Sequence, residues 1–202
     1  EMVPLFVRKQ VDTPVIAAVT PYTPLELAGR DIYQAEGCVN CHSQMIRPLR
    51  SEVERYGEYS KPGEYVYEHP FLWGSRRIGP DLARVSLKKA SALWHVQHME
   101  DPQSTSSGSL MPEYDHLLTK PAHLDSIGSH MKALARVGVP YSDEEIANAP
   151  ATARAQAAKV VEQLHAEGGS GYGDISESQM VAVVAYLLRL GKDANGNPIS
   201  SN

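Results

Sequence analysis

The chain has 202 residues, of which 42% are hydrophobic and 21% charged, a balance that excludes disorder. Two cysteines exclude a fold stapled by several disulfides, and no apolar run approaches the ~20 residues of a membrane span. The net charge of −5 is uneven: residues 47–89 carry nine Lys/Arg against six Asp/Glu, and residues 90–202 seven against thirteen, without the dense basic stripe that nucleic acid requires.

Residues 1–23 are rich in proline, show no helical period and read as an extended lead-in. No signal peptide is visible, so a mature or truncated chain is expected. The first helix is predicted over residues 24–36, with Thr23 as N-cap and Pro24 at the first helical position. Leu25, Ala28, Gly29, Ile32 and Ala35 share one face, and Gly37 ends the helix. Residues 47–82 read as long irregular loops whose rings (Tyr56, Tyr59, Tyr65, Tyr67, Phe71 and Trp73) are expected to form a docking patch.

A short helix follows over 91–100, with Leu93, Trp94 and Gln97 on one side, and Pro102 stops it. A polar loop from Ser104 to Gly108 leads to Leu110-Met111-Pro112. Residues 126–136 are predicted helical, with Ile127, Met131 and Leu134 at core spacing and Gly138 as the stop. Ser142 with Glu145 reads as a capping box at a helix start, and a separate alanine-rich helix is expected over 151–167. Residues 168–173 read as a flexible glycine-rich break. The last helix, 176–190, carries Met180, Val183, Val184, Leu187 and Leu188 on an amphipathic stripe closed by Gly191. Nothing alternates long enough for a sheet, so the fold class is mainly α.

Cys38-Val39-Asn40-Cys41-His42 is Cys-x-x-Cys-His, the attachment signature of haem c. Two thiols bracketing a turn can both reach the vinyl groups of one porphyrin. The next side chain then points its imidazole at the iron. A structural zinc site needs four ligands, and no second cysteine pair exists. A thioredoxin-like redox pair expects a preceding strand, whereas here a helix precedes. One motif implies one covalent haem.

The opposite axial ligand must come from elsewhere in the chain. Met111 is the first candidate, because Pro112 fixes its loop and no helix competes for the side chain; His116 and His98 come next. His/Met ligation raises the potential relative to His/His, and a filled sixth position favours electron transfer over catalysis. The Pro80 carbonyl, in Gly79-Pro80-Asp81-Leu82, is placed to accept from the Nδ1–H of His42, or else belongs to an ordinary turn. Arg47, Arg76, Arg77, Trp73 and Tyr67 are candidates for holding the haem propionates, since buried carboxylates need donors or cations.

The first helix, the cysteine turn, the Met-Pro loop and the last helix together resemble a class I cytochrome c, in which the terminal helices cross where a small residue such as Gly29 meets an aromatic such as Tyr186. Longer strings are more specific: Leu27 to Asp31, Gly37 to Pro48 with its CHSQM run, Glu54 to Gly57, HPFLWGS at His69 to Ser75, Gly79 to Arg84, Met111-Pro112 and Gly138 to Tyr141. Over roughly residues 3–147 and 176–191 the chain resembles the mono-haem subunit of cbb3-type cytochrome c oxidases, related to FixO proteins.

The resemblance implies a class I cytochrome c fold with long irregular loops and an extra helical insertion. A single domain would cover 24–192, with the insertion near 148–175 and a flexible tail over 193–202. It further implies one covalent haem c, which relays electrons to the haem-copper catalytic subunit. The donor would be a di-haem cytochrome c subunit or a soluble cytochrome c. On its own the chain would not be an enzyme. The implied place is the periplasmic face of the bacterial inner membrane. The family's membrane helix would precede Met2-Val3-Pro4-Leu5-Phe6, so the anchor is expected to be absent from this chain. A free soluble periplasmic carrier cytochrome c is the second reading. A haem enzyme such as a peroxidase is a third, which Met111 and the single motif disfavour.

Overall fold

A computed structural model describes residues 16–193 and 195–199; the lead-in expected over 1–15, and residues 194 and 200–202 of the expected tail, lie outside the described residues. The helices are α1 (Pro24–Ala35), α2 (Arg50–Tyr56), α3 (Val85–Lys88), α4 (Ala92–Glu100), α5 (Pro102–Thr105), α6 (Ile127–Arg136), α7 (Asp143–Ala166) and α8 (Gln179–Arg189), with short 3₁₀ turns between several of them. Among the described residues extended backbone pairs only in isolated bridges, Pro121 with Ser178 and Lys192 with Pro198. The fold is mainly α, as the sequence predicts. No described helix is long and apolar enough to cross a membrane.

Helix α1 begins where the sequence places it. Thr23 is extended, Pro24 occupies the first helical position, and the Thr23 N–H donates to the Glu26 carboxylate at 2.8 Å. Another N–H at this end, that of Leu25, has no partner within the helix and donates instead to Gln156 Oε1 of α7 at 3.1 Å. Gly37 ends the helix in the left-handed region, φ 73°.

Helix α1 then crosses α8 in backbone contact. A Cβ built on Gly29 would lie 1.9 Å from the Ala182 carbonyl oxygen and 2.9 Å from Tyr186 Cβ. Tyr186 is fully buried, its ring centroid 5.5 Å from that of Tyr33, and its hydroxyl donates to Gln44 Oε1 at 2.9 Å. The last helix is buried on nearly every side from Met180 to Leu187, more than the amphipathic reading expects.

Three expectations are corrected. Within 47–82 a two-turn helix, α2, replaces expected loop; it buries only Glu52 and Tyr56, so no apolar period announces it. Helix α4 buries Ala92, His95, Val96 and Met99, the face opposite the expected Leu93, Trp94 and Gln97. The two helical pieces expected around residue 150 are one helix, α7, running through Pro150. Pro150 leaves the Ile146 carbonyl without its donor, and that oxygen sits against α6, 2.8 Å from where a Gly128 Cβ would lie. The buried Ala149, Ala153, Ala157, Val161 and Leu164 then carry α7 along the core.

Several rings of the aromatic segment pack on one another rather than standing free. Phe71 stacks on Trp73 with centroids 4.4 Å apart, and Tyr65 meets Trp73 edge-on at 5.6 Å. Tyr56 is buried, and of the six rings only Tyr59 is exposed.

Because the α1–α8 crossing leaves no space for a methyl group, Gly29→Ala is expected to destabilise the protein by about 1–3 kcal/mol or more. Gly171→Ala, with nothing within 4 Å of the added carbon, should stay within about 0.5 kcal/mol. Denaturant unfolding of both variants checks the pair.

Candidate functional site

Gly37 turns the chain out of α1 directly into the turn Cys38–Asn40, where the Cys41 and His42 N–H groups donate to the Cys38 carbonyl at 3.1 and 2.9 Å. The two thiols are free and half-buried. Burial pushes the Cys38 thiol up to about 12. Among the described residues, no group of three or more His, Cys, Asp or Glu side chains is arranged to hold a metal ion.

A second strip of chain, residues 79–83, is fastened alongside this turn. The Gly79 N–H donates to the Cys41 carbonyl at 3.0 Å and the Leu82 N–H to the Ser43 carbonyl at 2.8 Å. The buried Asp81 carboxylate gathers the Ser43 hydroxyl (2.8 Å), the Met45 N–H (2.9 Å) and the Ala83 N–H (2.8 Å). This clamp sets the Pro80 carbonyl 2.8 Å from His42 Nδ1. A carbonyl only accepts, so Nδ1 carries the proton and the lone pair is left on Nε2. Burial draws the His42 pKa below its ordinary value, with the Pro80 carbonyl and Asp81 opposing. Gly79 packs against the ring: a Cβ there would lie 2.3 Å from His42 Cε1.

Both cysteines, His42, Pro80 and Met111 line a single cavity of about 690 Å³. Met111 is half-buried, on the loop that follows α5, and its N–H donates to Ser109 Oγ at 3.2 Å. Of the alternative ligands, His98 also lines the cavity, with Nδ1 2.5 Å from Thr105 Oγ1 and its ring stacked on Trp94. His116 does not line it; its Nε2 pairs with Glu36 at 3.1 Å.

Arg47, Trp73, Arg76 and Arg77, the sequence's candidates for the propionates, are not among the residues that line the cavity. Glu52, buried on α2, explains both Arg47 and Arg77: it takes Arg47 and, at 2.9 Å, Arg77. Arg77 also donates to the Met45 carbonyl at 2.9 Å. Trp73 is stacked within the aromatic segment, Tyr67 lines a smaller separate pocket, and Arg76 is exposed. The cavity instead takes Trp94, His95 and Met99 from α4, and Arg55, Lys88 and Lys89. His95 and Met99 stand four residues apart with Ala92 and Val96, a helical face as regular as the one first read from Leu93 and Trp94.

These residues fit a covalent haem. The volume lies within the range of about 300–1,000 Å³ usual for cofactor pockets. Two free thiols, an imidazole with its lone pair on Nε2 and a thioether line it, and Gly79 leaves the imidazole room.

Burial alone would raise the Glu52 carboxyl, but hydrogen bonds from Arg77 and Arg47 reverse this and hold it at about 2. A depressed folded-state pKa gives stability that is present above the unfolded carboxyl value and lost as pH falls toward about 2. Glu52→Gln should therefore be less stable than the parent at neutral pH. The gap in denaturant midpoint should narrow progressively on acidification.

Comparison with curated proteins finds no match. The family described as "Cytochrome C oxidase, mono-heme subunit/FixO" matches residues 1–194, nearly the whole chain. The protein belongs to the FixO family, the mono-haem subunits of cbb3-type cytochrome c oxidases.

Proposed function

We propose that the chain would hold one haem c through thioethers at Cys38 and Cys41, with His42 Nε2 and Met111 Sδ as the donors to its iron, and that it relays single electrons to the haem-copper catalytic subunit. The observation that carries this reading is the convergence of the two thiols, the free Nε2 and the Met111 thioether on one cavity. The bound haem supplies a reversible one-electron change at iron. The rest is the work of the chain.

The Asp81 clamp and the Pro80 carbonyl fix the His42 tautomer and ring plane, so that its lone pair keeps one direction. The hydrogen bond to Pro80 also makes the imidazole a stronger electron donor. Met111, on the Ser109 to Pro112 loop, supplies a soft, neutral thioether that favours the reduced state. The relay takes one electron from a di-haem cytochrome c subunit or a soluble cytochrome c and passes one on, with no bond made or broken. Its place is the periplasmic face of the bacterial inner membrane, beside a catalytic subunit that reduces oxygen.

Denaturing mass analysis of the chain expressed with a haem-attachment system should show the polypeptide plus one haem. Haem that extracts into acidified organic solvent would refute covalent attachment. Met111→Ala should lower the potential, abolish the methionine-to-ferric-iron absorption band and admit cyanide. Persistence of that band would assign the sixth position to another methionine, with Met99 on the cavity wall the first to examine.

A further inference from the structure

Apart from Arg76, which is exposed and lies outside the cavity lining, the cations of residues 47–89 fall into two groups. Arg47, Arg50, Lys61, Arg77 and Arg84 are each paired with a carboxylate. Arg55, Lys88 and Lys89, the three that line the cavity beside the already paired Arg84, have no carboxylate partner among the described residues. Other contacts hold them in place. The Lys88 ammonium donates to the Arg55 carbonyl, tying the end of α3 to the end of α2. The Lys89 ammonium lies 4.5 Å from the centroid of the Trp94 ring, and the Arg55 guanidinium 5.3 Å from that of Tyr56. Asp81, the one Asp or Glu in the cavity lining, is already occupied by Ser43, Met45 and Ala83.

A net positive wall therefore borders the cavity, whose one carboxylate, Asp81, is already engaged by those donors and by Arg77 at 3.5 Å. Haem carries two carboxylates, and carboxylates taken into a protein cavity need cationic donors. We propose that Arg55, Lys88 and Lys89 receive the two haem propionates. The inference rests on the haem reading above and adds the orientation of the group: its carboxylate edge faces the junction of α2, α3 and the start of α4.

The test uses Arg55→Gln, Lys88→Gln and Lys89→Gln, singly and together, in the haem-loaded chain, with attachment first confirmed by mass. Absence of covalent haem from the parent chain would strike the functional reading itself. With haem in place, removing the cations should raise the protonation midpoint of the propionates, read from the infrared carbonyl stretch, by about 1–3 units. The reduced site is the less positive one and holds that proton more tightly. The potential should then fall with rising pH across the neutral range, where the parent's is flat. Lys88→Arg and Lys89→Arg should keep the parent profile. A triple Gln variant with the parent's infrared titration and potential profile would overturn the proposal. If that variant instead only slowed electron exchange with an acidic partner, the wall would be a docking surface and the proposal would likewise fall.

Discussion

The backbone contact between Gly29 and Ala182 is the constraint on which the rest of the structure depends. It brings α1 close enough to α8 for Tyr33 and Tyr186 to meet, and it buries Tyr186 completely. The Tyr186 hydroxyl then holds Gln44, two residues beyond His42. Gln44 in turn donates its N–H to the Trp73 carbonyl at 2.8 Å, while its neighbours Ser43 and Met45 bind Asp81. The orientation of one imidazole is thus inherited, through a few directional bonds, from the closest approach of two helices.

Most of the segment from Ile46 to Arg84 is shaped by charge rather than by apolar packing. Its own small core is Ile46, Tyr56 and Ala83. Around it lie Arg84 with Glu64 (2.6 Å), Arg77 with Glu52, and Glu68 held by both Arg30 (2.8 Å) and the Tyr22 hydroxyl (2.5 Å). Buried pairs of this kind add little net stability over apolar packing, yet breaking one leaves an uncompensated charge. They act here by excluding alternative arrangements. Arg30 shows this best: it leaves the α1–α8 crossing and reaches Glu68 and the His69 and Pro70 carbonyls, so the helix and the aromatic segment share one register.

The parts of the fold and site legible in the sequence are those whose causes are local. Thr23-Pro24, Gly37, the Cys-x-x-Cys-His turn and Met111-Pro112 each announce themselves within a few residues. Gly29 with Tyr186 was reachable only through resemblance, because neither residue alone says what it meets. The pairing of Arg47 and Arg77 with Glu52 was hidden for the same reason: an arginine shows its charge but not its partner, and Glu52 sits on a helix with no apolar period. The face of α4 was ambiguous because Leu93 and Trp94 offer larger apolar groups than Ala92 and Val96, yet the smaller side chains suit the crowded interior. The continuity of α7 was hidden because Pro150 stands inside it, where a proline ordinarily breaks a helix.

The bond between Leu25 and Gln156 spans 131 residues, and the Gly29–Ala182 crossing spans more. During synthesis, therefore, the first helix and the cysteine turn emerge long before the elements that cover them. The core cannot close until the final helix has been made, and closure of such distant pairs is intrinsically slow. Until then the thiols of Cys38 and Cys41 stand on an open chain, accessible to any chemistry that must reach them, and the late arrival of α8 ends that interval. Chain order thus works as a clock, with the site's reactive groups presented first and the element that encloses them delivered last.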